Sequence, residues 1–200
     1  MLTGILLLFL TLDSAAQEGL YAPSVPEDAA LVRIINATSE PLTFDVGPLR
    51  YRDVPAYSAS AYRPVQPGVF VLFHVGKREV LTPEARSFLT IALLPDDLTV
   101  IRDERHVDPA RAQLVIYNFS EQPVSFEAVE PGAVLVPEVP SGESRARVVN
   151  AIAVRIAAVA EAPLYAESIE LERGESYSMV VLGEGVEPAG FVHQADVSSE

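Results

Sequence analysis

Three histidines, no cysteine and no Gly-x-Ser-x-Gly elbow bound the bond-making chemistry this sequence can carry. Nucleophilic catalysis needs a hydroxyl or thiol beside a base that a third group orients. His106 with Asp108, and His193 with Asp196, each set an imidazole close to a carboxylate, but no serine is brought to either. Ser144, in the stretch Gly142–Ala146, leads into a charged strand rather than a strand-to-helix turn. His74 closes an apolar run and reads as a structural residue. The acidic groups Asp96–Asp97 and Asp103, Glu104 and Asp108 lack the regular oxygen spacing and glycine bend of a calcium loop, so they read as solvated loop charge. No catalytic residue, cofactor or metal ligand is therefore assigned. The remaining cluster is Arg50, Tyr51, Arg52, Tyr57, Tyr62 and Arg63. Arginine and tyrosine are enriched where proteins meet partners, and tyrosine can stack on a sugar. These six are the candidate partner or saccharide contacts, against the plainer alternative of tyrosines buried along edge strands.

Charge narrows the partners. There are 28 acidic residues against 14 cations, 13 of them arginine, for a net charge of −14. Phosphate recognition needs a basic surface, so nucleic acid is excluded as a partner. A polyanion would be repelled by most of this surface, and a basic protein partner or a plainly solvated surface fits it better. Without cysteine there are neither disulfides nor thiolate metal sites. The apolar run Gly4–Leu12 is too short to span a bilayer, and Ser14 and Ala16 follow it at the −3 and −1 positions of a cleavage site. The reading is a signal peptide over 1–16, cleaved after Ala16, and export.

The elements that must position any site are written twice. Val32–Asp45 aligns without a gap on Leu114–Glu127, with four identities (Ile34/Ile116, Asn36/Asn118, Pro41/Pro123, Phe44/Phe126) and six close pairs. Leu42–Val46 and Val124–Ala128 alternate apolar and polar residues, the period of a half-buried strand, with Phe44 and Phe126 inward. Each repeat thus opens as strand, polar turn and strand, in a hairpin-like start. Asn36-Ala37-Thr38 and Asn118-Phe119-Ser120 match glycosylation sequons, but their place in the repeated turn favours a folding role. Val54-Pro55 recurs as Val139-Pro140, the segment 69–75 as 151–160, and 85–94 as 174–183. The alanine-rich 151–160 is predicted as strand from its repeat partner. Short strands between Pro and Gly turns predict an all-β chain of two tandem β-sandwich domains, immunoglobulin-like or carbohydrate-binding-module-like. The expected layout is an extended leader over 17–29, domains over 30–108 and 109–194, a polar seam at 95–112 and a tail at 195–200.

The N-terminal stretch also carries a resemblance. Leu20-Tyr21, Pro23, Pro26 and the strand Val32-Arg33-Ile34-Ile35-Asn36 resemble the start of the mature AlgF family of alginate O-acetylation accessory proteins, with Ala22 in place of the expected glycine. The resemblance implies a periplasmic, non-catalytic adaptor. Its implied partners are a membrane-bound O-acyltransferase and periplasmic SGNH-type acetyltransferases, with the polysaccharide as a further candidate. Two alternatives stand beside it. One is a stand-alone carbohydrate-binding module for an exopolysaccharide such as acetylated cellulose, using residues 50–63. The other is an acetyl-carrying enzyme, for which Ser144 and His193 are the nameable groups.

Overall fold

The computed structural model describes residues 25–183 and 185–198, and among them every regular element is a strand. The expected signal peptide and the Leu20–Pro23 motif lie outside the described residues. The first repeat forms β1 (Ala30–Asn36), β2 (Leu42–Val46), β3 (Leu49–Val54), β4 (Ser58–Ala59), β5 (Arg63–Val65), β6 (Phe70–His74), β7 (Lys77–Leu81), β8 (Phe88–Leu93) and β9 (Leu98–Asp103). The second forms β10 (Ala112–Asn118), β11 (Val124–Ala128), β12 (Ala133–Val139), β13 (Ser144–Val149), β14 (Ala153–Val159), β15 (Pro163–Glu170), β16 (Ser176–Val181) and β17 (Gly190–Gln194). The alanine-rich segment is strand β14, as its repeat partner β6 predicts.

The repeat is visible in the pairing. In the first half β1 lies between β4 and β5 on one side and β8 on the other, with β9 beyond β8. In the second, the order β13-β10-β16-β17 repeats this. The pairs β1–β8 and β10–β16 are both parallel, Ile34 facing Ile91 and Ile116 facing Met179. The other strands form the sheet β12-β11-β14-β15 in the second half and two separate hairpins, β2–β3 and β6–β7, in the first.

Side-chain alternation assigns these sheets to layers. Val32, Ile34, Leu89 and Ile91 pack against Phe44, Tyr51 and Leu72 of the two hairpins, making one interior. Leu114, Ile116, Tyr177 and Met179 pack against Val124, Phe126 and Ile156, making a second. The opposite faces of the two long sheets meet each other in a third interior, of Ile35, Ala92 and Ile101 against Val115, Tyr117, Val180 and Phe191. The order is hairpins, sheet, sheet, sheet. Both central strands, β1 and β10, are buried at every position, because each has an interior on either side.

Three expectations change. The repeated start is an arch between layers and not a hairpin: β1 pairs with β4, β5 and β8, while β2 pairs with β3. The 95–112 seam contains strand β9, whose Leu98 faces the first interior while Ile101 faces the third. The tail is anchored: Tyr62 N–H donates to the Asp196 carbonyl and Ser198 N–H to the Tyr62 carbonyl, both at 2.8 Å, so residues 196–198 strap back onto the first half.

Candidate functional site

The chemistry-bearing side chains converge in the third interior. Arg33 is wholly buried at the centre of β1, in an apolar strand whose repeat partner, by the 82-residue offset, is Val115. Its Nε donates to Thr90 Oγ1 at 2.8 Å, and its Nη2 to Tyr117 Oη and Ser178 Oγ, each at 2.7 Å. Thr90 and Ser178 hold matching places in the two repeats: Thr90 faces Arg33 across β1–β8, and Ser178 faces Val115 across β10–β16. The guanidinium therefore takes one hydroxyl, Thr90, from its own repeat and two, Tyr117 and Ser178, from the other. It also lies over the Tyr62 ring, 4.5 Å from its centroid.

Asp103, at the end of β9, balances the charge. Its carboxylate accepts from Thr90 Oγ1 at 2.5 Å, from Tyr62 Oη at 2.7 Å, and from Tyr117 Oη. Thr90 and Tyr117 thus accept from the guanidinium and donate to the carboxylate, linking two buried charges through two hydroxyls. Burial opposes the charge on Arg33, but Tyr117, Tyr62 and Asp103 hold its pKa above the ordinary arginine value. Burial pushes the phenols of Tyr62 and Tyr117 far above their usual range, so both stay protonated donors.

His193 stands opposite Ser178 across β16–β17. Burial first, and the Arg33 charge second, lower its pKa, with Asp196 opposing them. Its Nε2 and Arg33 Nη1 are buried without a hydrogen-bond partner. Ser178 is itself fully buried and its oxygen already accepts from Arg33. Beside this network a cleft of about 380 Å³ opens between the halves. Asp103, Glu104, Glu175 and Asp196 line it with Arg105 and His106.

Several sequence candidates fall elsewhere. His106 Nε2 bonds the Arg111 carbonyl at 2.9 Å and Asp108 accepts from Ala110 N–H at 3.0 Å, so each serves its own loop rather than the other. Ser144 and His193 lie on the outer strands of one four-stranded sheet, so three strand spacings, roughly 14 Å, are the least distance between them. His74 Nε2 bonds the Leu94 carbonyl at 2.7 Å, a structural contact. Among the described residues no three His, Asp or Glu side chains are grouped to hold a metal ion.

Both sequon asparagines are wholly buried. Asn36 Nδ2 reaches the carbonyls of Glu40, Val54 and Pro55, and Asn118 Nδ2 those of Gln122 and Val139. Their Oδ1 atoms accept from the backbone and hydroxyl of Thr38 and Ser120. Each asparagine is the clamp of its arch.

The arginine–tyrosine segment is split by the fold. Tyr51 is 3% exposed and donates to the Val32 carbonyl at 2.6 Å, and Tyr62 is 6% exposed within the Arg33 network. Neither ring offers a face for stacking: alternation along β3 turns Tyr51 inward, and the Asp103 and Arg33 contacts hold Tyr62 inside. Arg50 and Arg52 are exposed on β3, while Tyr57 and Arg63 are half-buried. Arg50 pairs with Asp45 at 2.9 Å, and Arg63 lies over Tyr51. The network around Arg33 was not foreseen from sequence. Its one signal was a charged residue in an apolar strand where the second repeat has valine.

The family model for AlgF, described as alginate O-acetyl transferase AlgF, matches residues 6–178. The chain is also 25% identical over 182 residues to the alginate biosynthesis protein AlgF of Pseudomonas putida KT2440, covering 86% of this chain and 81% of that protein.

Proposed function

The chain belongs to the AlgF family, and from that premise we propose that it is a periplasmic, non-catalytic adaptor of an alginate-type O-acetylation system. It docks between a membrane-bound O-acyltransferase, which delivers acetyl groups, and periplasmic SGNH-type acetyltransferases, which place them on the polymer. The observation that carries the role is the family match over 6–178. The signal-like residues 1–16, cleaved after Ala16, would deliver the chain to that compartment. Residues 30–108 and 109–194 are read as duplicated β-sandwich units, each sharing its outer sheet face with the other.

The site chemistry supports an adaptor over a transferase. An acyl carrier needs an accessible nucleophile within reach of a base. The serine beside His193 is Ser178, sealed in the interior with its oxygen held by Arg33. Of the four carboxylates lining the cleft, Asp103 already accepts three hydroxyl hydrogen bonds. The stand-alone carbohydrate-binding reading keeps only the half-buried Tyr57 of its three tyrosines, since Tyr51 and Tyr62 are buried.

Co-purification of the exported chain with periplasmic acetyltransferases of its own cell tests the role. The expected result is a stable complex and loss of polymer acetylation in a deletion strain. Normal acetylation in that strain, without any complex, would reject the adaptor. A single acetyl adduct at Ser144 or His193 after incubation with an acetyl donor would establish the enzyme reading in its place.

A further inference from the structure

The outer face of the β6–β7 hairpin is built unlike the rest of the surface. Leu72 turns into the first interior, while Val69, Val71, Phe73 and Val75 turn outward and Val80 stands opposite Val71. Five of the eleven large hydrophobics exposed among the described residues sit on this one hairpin. Scattered exposed valines need no explanation, but a contiguous strip marks a contact. The matching strand of the second repeat, β14, buries Ile156 and exposes Ala153 and Arg155 instead, so the fold itself does not require the strip.

The turn adds an independent observation. His74 faces Lys77, leaving Val75-Gly76 as a two-residue loop with both residues at positive φ, 44° and 79°. Asn or Asp is the residue that relaxes there, and a β-branched side chain is strained. An exposed valine held in that conformation points to a use for its side chain.

Charge identifies what covers the strip. Residues 42–81 contain five cations (Arg50, Arg52, Arg63, Lys77, Arg78) and three carboxylates (Asp45, Asp53, Glu79), a net of +2. The rest of the sequence has nine cations and 25 carboxylates, a net of −16. We propose that this face docks an acidic protein partner whose contact patch is apolar at its centre and bordered by Asp and Glu. The proposal rests on the adaptor reading and supplies its docking surface. A valine and phenylalanine centre suits a protein better than a polyuronate, which needs a line of cations. A second copy would set the basic face against itself.

Two measurements on the full exported chain test this. A photo-crosslinking residue in place of Phe73 should yield an adduct with an acidic acetyltransferase component in cells, and one in place of Arg155 should not. With the purified component, Phe73→Ser and the pair Arg52→Glu/Arg78→Glu should each weaken binding at least about ten-fold. Raising salt from about 50 to about 500 mM should weaken the wild type. Val75→Asn should bind more weakly while melting no lower than the wild type, which separates lost contact from lost fold. If the wild type binds and all variants bind equally, the face is wrong and the adaptor reading stands. If the wild type binds no component, both fall. An adduct with a second copy, or an effect seen only on anionic vesicles or polyuronate, also overturns the proposal.

Discussion

The residue with the most at stake is Arg33. A buried ion pair adds little net stability, but removing one partner leaves an uncompensated buried charge. Arg33→Met strands Asp103 among three hydroxyls and should cost about 3–5 kcal/mol in urea denaturation. Converting Asp103 to Asn in the same chain should recover part of that loss, because the two effects are coupled. The arch asparagines act on a smaller scale. Asn118→Ala takes the donor from the buried Val139 carbonyl and from the outer Gln122 carbonyl and should cost about 1–3 kcal/mol. His193 links the network to pH. Its folded-state pKa lies below the unfolded value of about 6.5, so below that pH the unfolded chain binds more protons than the folded one. The melting temperature should be level above that pH and fall as pH drops through it, and His193→Gln should remove this slope. A mutant that keeps the wild-type profile would show that His193 is not its source.

At the scale of elements, periodicity was a reliable guide and pairing was not. Leu42–Val46 and Val124–Ala128 alternate as half-buried strands should, and the structure buries Phe44 and Phe126 accordingly. The same letters do not say which strand is the neighbour. The Asn-to-Pro connector encodes a clamp, and whether it closes a hairpin or an arch depends on the distant carbonyls of Val54 and Val139 that it bonds. The two first-half hairpins show a related device. They share no ladder, and meet where the Phe70 ring lies against Gly47, at φ 56°, so that a Cβ there would strike the ring. Gly47→Ala should cost about 1–2 kcal/mol from backbone strain alone, more if Phe70 is displaced. Thermal unfolding checks it, and a neutral effect would mean that neither the positive φ nor the ring contact carries a cost.

For the whole molecule, the duplication was legible and the union of the halves was not. Its signal was present: β1 and β10 lack alternation, and unbroken apolar runs belong to strands covered on both faces. Lone Arg33 obscured this in the first, and Gln113 and Tyr117 in the second, because the partners that make such residues tolerable inside lie far away in the chain, some of them in the other repeat. The consequence is energetic. Separating the halves would expose Ile35, Ile101, Tyr117, Val180, Leu182 and Phe191 of the third interior. At about 1.5–3 kcal/mol for each large side chain, that is on the order of 10 kcal/mol as an upper estimate. A whole domain is stable by only about 5–15 kcal/mol. Neither half can therefore unfold while its partner keeps its shape. The intact chain should melt in a single transition with equal calorimetric and van't Hoff enthalpies, and residues 109–198 alone should bind a hydrophobic dye or aggregate. Two resolved endotherms, or a monomeric fragment with native stability, would mean that the third interior is a contact between independent units and not a shared core.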